Sequence, residues 1–168
     1  MARFDLSTAA AQLAALSPEQ CAAVINQMGS GFDSLVRLTY LRASSSEVVA
    51  ELTAGPEHTQ PYGLVHGGVY CAMAESVCSV GAVLTVLPSG RHAVGSENRT
   101  RFERPTRRGT TLTVRAVPGP TDDGWHTWHA DITGDDGLLR AQSTVIVRAL
   151  EPGQELAGEI VDVEDPPA

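Results

Sequence analysis

The sequence predicts an α+β fold in which a curled antiparallel sheet wraps one long helix. Three observations point to it. The stretch HGGVYCAMAESVCSVGAVLTVLP, 66–88, is apolar on every side, so a helix there has to be covered on most of its faces. Two strand-like runs precede it and four follow. The turns between the late strands are short, which makes those strands antiparallel neighbours. One sheet covers only part of a helix, so a second copy of the same helix is expected to cover the rest.

The elements follow in order. Asp5 or Ser7 caps a first helix over 9–16. Ser17-Pro18-Glu19 restarts a helix that runs to about Met28, with serine as N-cap and proline at the first helical position. Gly29 and Gly31 end it. Strand-like runs cover 34–43 and 46–54 with Ser44-Ser45 as the turn; in the second, Val48, Ala50 and Leu52 alternate with Val49 and Glu51. A loop containing Gly55, Pro56, Pro61 and Gly63 leads into the long helix, and Pro88-Ser89-Gly90 closes it. Later strands are predicted over about 92–103, 110–117, 125–133 and 138–149. Turns at Arg107-Arg108-Gly109, at 118–124 and at Gly134-Asp135-Asp136-Gly137 separate them. This divides the chain into an N-terminal helical extension over 1–31, one main domain over 32–150 and an acidic flexible tail over 151–168.

Length and charge narrow the function. A chain of 168 residues is long enough for a single core. Its formal charge is −8, and six of its acids lie in 151–168 with no base among them. All twelve bases are arginine, and Arg91, Arg99, Arg101, Arg104, Arg107 and Arg108 cluster between 91 and 108. An acidic chain with one local Arg cluster fits a small phosphorylated ligand better than a nucleic-acid backbone. The odd, low cysteine count (Cys21, Cys71, Cys78) argues against a disulfide framework and fits a reducing cytoplasm. The opening MARFDLSTAA has no apolar core of a secretory signal. The run over 69–87 is long enough to cross a bilayer. It holds Glu75, Ser76, Ser79 and Gly81, however, and a helix buried in protein explains it better than a span.

The chemistry centres on Glu75, the one carboxylate in the apolar run. A carboxylate is rarely buried without a partner, because desolvation costs several kcal/mol or makes it take up a proton. Either Glu75 is used, or it is a structural acid paired with an Arg or a backbone group. Ser79, one turn on, is placed to orient the carboxylate or to hold a water. Gly67 and Gly68 stand at the helix N-terminus, where free N–H groups and the helix dipole suit a carbonyl oxygen that gains negative charge in acyl transfer. The other reading is that they let the loop turn into the helix. Glu75 lies eight residues past Gly67, or about 12 Å along the axis. If both act on one carbonyl, they come from different subunits. His66 positions the loop, binds substrate or caps the helix. Cys71 and Cys78 share a helix face and read as packing residues. His126 and His129, at i and i+3 of a strand, point to opposite faces and do not make a shared metal site.

The stretch QPYGLVHGGVYCAMAESVCS, 60–79, resembles the hotdog-fold acyl-CoA thioesterases. It is most similar to the branch of the Arthrobacter-type 4-hydroxybenzoyl-CoA thioesterase and the phenylacetate-associated thioesterases. That branch has an Asn or Gln, a glycine seven residues on behind a histidine, and an acid eight residues beyond; Gln60, Gly67 and Glu75 match, and Ser79 matches a Ser/Thr one turn further. The stretch GSENRTRFERPTRRG, 95–109, is similar to the family's strand ending in Arg-Pro and a glycine. Arg99 and Arg101 depart from it, since relatives often carry smaller or apolar residues there. The resemblance covers about 32–150, which would be the hotdog domain.

The resemblance implies a long helix wrapped by a five- to six-stranded antiparallel sheet, with sites at a dimer interface and dimers pairing into a homotetramer. It also implies that the Gly67 N–H polarises a thioester carbonyl and that Glu75 of the neighbouring chain is nucleophile or general base. Gln60 would hold the reacting groups and His66 the loop. Gly68, Arg104, Arg107 and Arg108 are the expected contacts to substrate, the arginines to the phosphates of coenzyme A. No metal or cofactor is implied, since coenzyme A belongs to the substrate. The expected function is therefore a cytoplasmic acyl-CoA thioesterase, without nucleic-acid or membrane partners. The alternatives are a non-catalytic acyl-CoA binding or sensing module on the same fold, or a hydratase-type hotdog enzyme, which usually pairs an acid with a catalytic histidine.

Overall fold

The computed structural model describes residues 13, 15–28 and 31–160. The first predicted helix, over 9–16, lies mostly outside them, as does the end of the acidic tail. Helix α1 spans Pro18–Met28 and a one-turn helix α2 spans Phe32–Leu35. Strands β1 (Thr39–Ala43) and β2 (Val48–Thr53) follow, then the long helix α3, Gly67–Val86. Strands β3 (His92–Phe102), β4 (Thr111–Asp122), β5 (Trp125–Gly134) and β6 (Leu139–Leu150) complete the domain. In the tail, Glu155–Leu156 and Glu159–Ile160 pair as a small separate hairpin.

The six strands form one antiparallel sheet in the order β1-β2-β4-β5-β6-β3. Its concave face carries Val48, Ala50, Leu52, Leu112, Val114, Ala116, Trp128, Ala130, Ile132, Val145 and Val147, all buried with Met73, Ala74, Val77 and Cys78 of α3 in one core. The strand alternation and the helix apolarity therefore meet on a shared surface. Gly81 lets the helix approach closely: a Cβ there would fall 2.4 Å from the Trp128 ring. By length and apolarity the helical segment Gly67–Ser89 would suffice to cross a bilayer, but half of its apolar window is already buried within the protomer.

The two sheet edges are treated differently. On β1, Asn26 of α1 accepts from the Tyr40 N–H at 2.9 Å and donates to the Tyr40 carbonyl at 2.8 Å. This side chain occupies backbone groups that a further strand would use. The outer edge of β3 has no such cover among the described residues. The helix is also incompletely wrapped. Cys71, Glu75, Ser79 and Val83, with Ala72, Ser76, Val80 and Leu84 beside them, form two adjacent rows at four-residue spacing that stay half-buried.

Two elements depart from the sequence prediction. The first strand-like run, 34–43, is extended only from Thr39; its start belongs to α2. Asp33 explains this, since its carboxylate accepts from Ser76 Oγ at 2.6 Å and from Tyr40 Oη at 2.7 Å, holding a helical turn against α3. The predicted turn at 118–124 is mostly strand. β4 continues past a bulge at Pro118 to Asp122, which pairs with Trp125. The reversal is only Asp123-Gly124, both with positive φ (42° and 79°), a two-residue hairpin turn that matches strand twist. Pro118 is tolerated because β2 ends opposite Ala116, so no ladder bond needs its missing N–H.

Candidate active site

His66 starts α3 in extended conformation, and its Nδ1 accepts the Gly68 N–H at 2.9 Å. The Val69 N–H goes to the His66 carbonyl at 2.9 Å. Of the first three helix amides, only that of Gly67 is left without a protein acceptor among the described hydrogen bonds. It sits in a cleft of about 390 Å3 lined by Gln60, Leu64, Val65, Gly67, Tyr70, Phe102, Glu103, Arg104 and Pro105. The dipole of a 20-residue helix reinforces this donor.

The preceding loop is braced from beneath. His58 is buried; its Nδ1 accepts the Gly55 N–H at 2.8 Å and its Nε2, facing the Val36 carbonyl at 3.0 Å, carries the proton. The His58 carbonyl in turn accepts the His66 N–H at 2.9 Å. Gln60 is held at the loop turn by backbone bonds to Leu64 and Gly63, both 2.9 Å. Phe102 closes the cleft on the β3 side, 54% exposed and stacked at a tilt on Tyr70, with ring centroids 5.7 Å apart. A Cβ at position 67 would come 2.8 Å from the Phe102 ring, so glycine lets the ring lie this close to the helix start.

Glu75 does not line that cleft. It lies half-buried against β3, where Asn98 Nδ2 donates to its Oε2 at 2.9 Å and to the Cys71 carbonyl at 3.0 Å. Burial and the charge of Glu75 together push the Cys78 thiol well above its ordinary range, which fits Cys78 as a packing residue.

Residues 62–141 match the Thioesterase superfamily. A candidate esterase of Mycobacterium tuberculosis, Rv1847, is 34% identical over 122 residues, which is 71% of this chain and 86% of that protein. The chain belongs to the thioesterase superfamily. The solved structure of the same mycobacterial protein superposes on this thioesterase with a TM-score of 0.69, at 32% identity, covering 71% of this chain and 96% of that one. Thioesterase HI1161 of Haemophilus influenzae superposes with a TM-score of 0.71 at 26% identity, covering 77% and 90%. The helix wrapped by a six-stranded antiparallel sheet is the hotdog fold, and membership of the superfamily makes the protein a hydrolase of thioesters in general terms.

Within the thioesterase the expected residues divide into two groups. Gln60, Gly67 and Arg104 share the cleft, with His66 and Gly68 at its helix cap. The amide of Gly68 is committed to His66, so of the two glycines it is Gly67 that presents an open donor. Arg107 is exposed, with its backbone bridged to Leu64; Arg108 is exposed on the turn after it, and neither lines the cleft. Glu75 and Ser79 lie on the half-covered rows of α3 instead. Ser79 makes no described hydrogen bond to Glu75, and the group that orients the carboxylate is Asn98 rather than a serine, an arginine or a backbone amide. Arg99 and Arg101 point outward and pair with Glu97 and Glu103. His126 is buried and His129 exposed, on opposite faces of β5. The sequence analysis missed Asn98, His58, Tyr70 and Phe102. The only signal for Asn98 was a short amide inside a strand pattern, where asparagine is disfavoured.

Proposed function

We propose that this thioesterase hydrolyses acyl-CoA thioesters at sites formed between two copies of the chain, each dimer pairing with another into a homotetramer in the cytoplasm. One observation carries the reading. The open Gly67 amide and the Glu75 carboxylate lie on one helix eight residues apart, about 12 Å along its axis, and only Gly67 is in the cleft. Two copies of α3 packed antiparallel through their half-covered rows bring the Gly67 of one copy to the Glu75 of the other. The uncovered edge of β3 runs beside those rows and offers backbone pairing to its symmetry mate.

In this arrangement the thioester carbonyl oxygen accepts from Gly67 N–H, and the helix dipole favours the negative charge that develops there. Glu75 of the other copy either attacks the carbonyl carbon or takes a proton from the water that does. If Glu75 attacks, the acyl–Glu75 anhydride it forms is then hydrolysed by water; in either case the C–S bond breaks, the departing thiolate of coenzyme A takes up the proton released from the water, and the acyl group leaves as the free acid. Gln60, in the cleft beside Gly67, supplies an amide that holds the thioester or the water. His66 keeps the cap closed on Gly68, so the Gly67 donor is pre-aimed. Arg104 lines the same cleft and, with Arg107 and Arg108 at its margin, gives the coenzyme A phosphates a cationic approach. The reaction needs only water besides the substrate.

The test is a turnover screen over aromatic, branched and straight-chain acyl-CoA thioesters, with wild type and Glu75→Gln. Wild type is expected to hydrolyse at least one class. The variant should lose about 10²–10⁴-fold in kcat while keeping its oligomeric mass. Undiminished turnover in Glu75→Gln would overturn the assignment of Glu75. Tight binding of acyl-CoA across the panel without hydrolysis would replace the enzyme reading by a sensing one.

A further inference from the structure

The carboxylate of Glu75 rests in a seat built by an irregularity in β3. Strand register shifts between Gly95, opposite Val147, and Glu97, opposite Ile146, so Ser96 is an extra residue. In a regular strand, residues three apart face opposite sides. The bulge cancels one step, and Gly95 and Asn98 both face α3. At Gly95 there is room for an oxygen and nothing more: a Cβ there would sit 2.2 Å from Glu75 Oε1. At Asn98 there is a donor, its Nδ2 giving one hydrogen to Glu75 Oε2 and the other to the Cys71 carbonyl.

The orientation of the Asn98 amide is determined by its partners. Its Oδ1 accepts from Thr100 Oγ1 at 2.7 Å, and Thr100 Oγ1 contacts Ser143 Oγ of β6 at 2.8 Å. The reversed amide would set its carbonyl against a carboxylate and a backbone carbonyl, neither of which can donate. The chain Ser143–Thr100–Asn98 therefore ties the Glu75 carboxylate to two strands and to the preceding turn of its own helix.

We propose that Asn98 is a positioning residue and Gly95 its complement: Asn98 holds Oε2 in place and the bare backbone of Gly95 accommodates Oε1, so that the carboxylate has one orientation toward the reacting carbonyl. This rests on the thioesterase reading of Glu75 above. The physical reason is that a glutamate has three rotatable bonds, and a misplaced reacting atom loses the advantage of proximity. One charge-assisted hydrogen bond removes most of that freedom. The other titratable side chain that senses Glu75 is Cys78; on β3 the nearby charges Glu97 and Arg99 are exposed and pair with each other.

Three variants test it. Asn98→Ala removes the donor and is expected to lower kcat about 10–100-fold with KM little changed. Gly95→Ala is tolerated by the backbone, whose φ lies outside the left-handed region, and the only close atoms are the flexible end of Glu75. It should therefore melt near wild type yet lose activity, because the carboxylate is displaced. Asn98→Asp keeps the shape but sets a second carboxylate against Oε2. It should raise both the acid limb of the kcat/KM profile and the Glu75 titration midpoint, read by carbon NMR of labelled glutamate with Glu75→Gln as the assignment control, by about one pH unit or more. An unmoved Glu75 titration in Asn98→Asp overturns the seat, whatever the activity. Wild-type kcat in both Asn98→Ala and Gly95→Ala overturns it as well. If the titration moves while wild type hydrolyses none of the thioesters, the seat stands and the enzymatic reading falls.

Discussion

At the scale of single residues, this protein places its polar side chains where burial has a consequence. Glu75 is half-buried and is met by an amide; Asp33 is met by a serine and a tyrosine. His126 is an exception. It is buried on β5 with Nε2 unpartnered among the described residues, and burial, with the nearby charge of Arg91, pushes its imidazole below the ordinary 6.5. The unfolded chain therefore binds this proton more readily than the folded one. The contribution of His126 to stability is complete above about pH 6.5 and declines as pH falls through that value toward the lower folded one. A urea midpoint measured at about pH 7.5 and again near pH 5 should fall more in wild type than in His126→Leu; equal falls would show that His126 does not titrate on unfolding. Of the proposed site residues, Gln60, His66, Gly67 and Glu75 were legible because their spacing is itself a pattern. Asn98 was not, because its meaning comes from a helix carboxylate twenty-three positions away.

At the scale of elements, the clearest test is the contact of α3 with β5. Trp128 is 1% exposed and lies over Gly81, where a Cβ would meet the ring at 2.4 Å. The ring cannot swing away within a packed core, so the helix or strand must shift. Gly81→Ala should destabilise by about 1–3 kcal/mol despite the better helix propensity of alanine, seen as a lower thermal midpoint with unchanged secondary structure. A midpoint at or above wild type would mean that the contact is loose. The long helix and the four late strands could be read from apolarity, period and turn residues, all local properties. The α2 turn could not, since the mixed stretch at 34–38 fits a strand as well as a helix and Asp33 decides by bonding to Ser76 across the domain. The length of β4 was hidden for a related reason. Prolines at 118 and 120 read as a turn, yet they stand beyond the end of β2, where a strand no longer owes it hydrogen bonds.

At the scale of the whole molecule, the half-covered rows of α3, the open edge of β3 and the separation of Gly67 from Glu75 point to the same second copy. Co-expression of Gln60→Ala with Glu75→Gln discriminates directly between shared and internal sites. If each site takes Gln60 from one chain and Glu75 from the other, a mixed dimer holds one intact site, and random pairing restores about one quarter of wild-type activity. If each chain holds its own site, the mixture stays as inactive as the separate variants. A charge in the rows, as in Val83→Arg, should yield a folded chain of lower mass and little turnover, by light scattering and assay together; full activity at monomer mass would refute an interface site.

The sequence by itself determined the class of fold, the position of the long helix, the family resemblance and the residues worth testing, because periodicity, caps and motif spacing are written in neighbouring positions. The tertiary structure alone decided which glycine amide stays open, which side chain holds the carboxylate, and which edge and helix face are left uncovered. Those depend on what lies opposite each residue in space. A bulge of one residue in β3, invisible in composition or period, turns Gly95 and Asn98 toward the same helix.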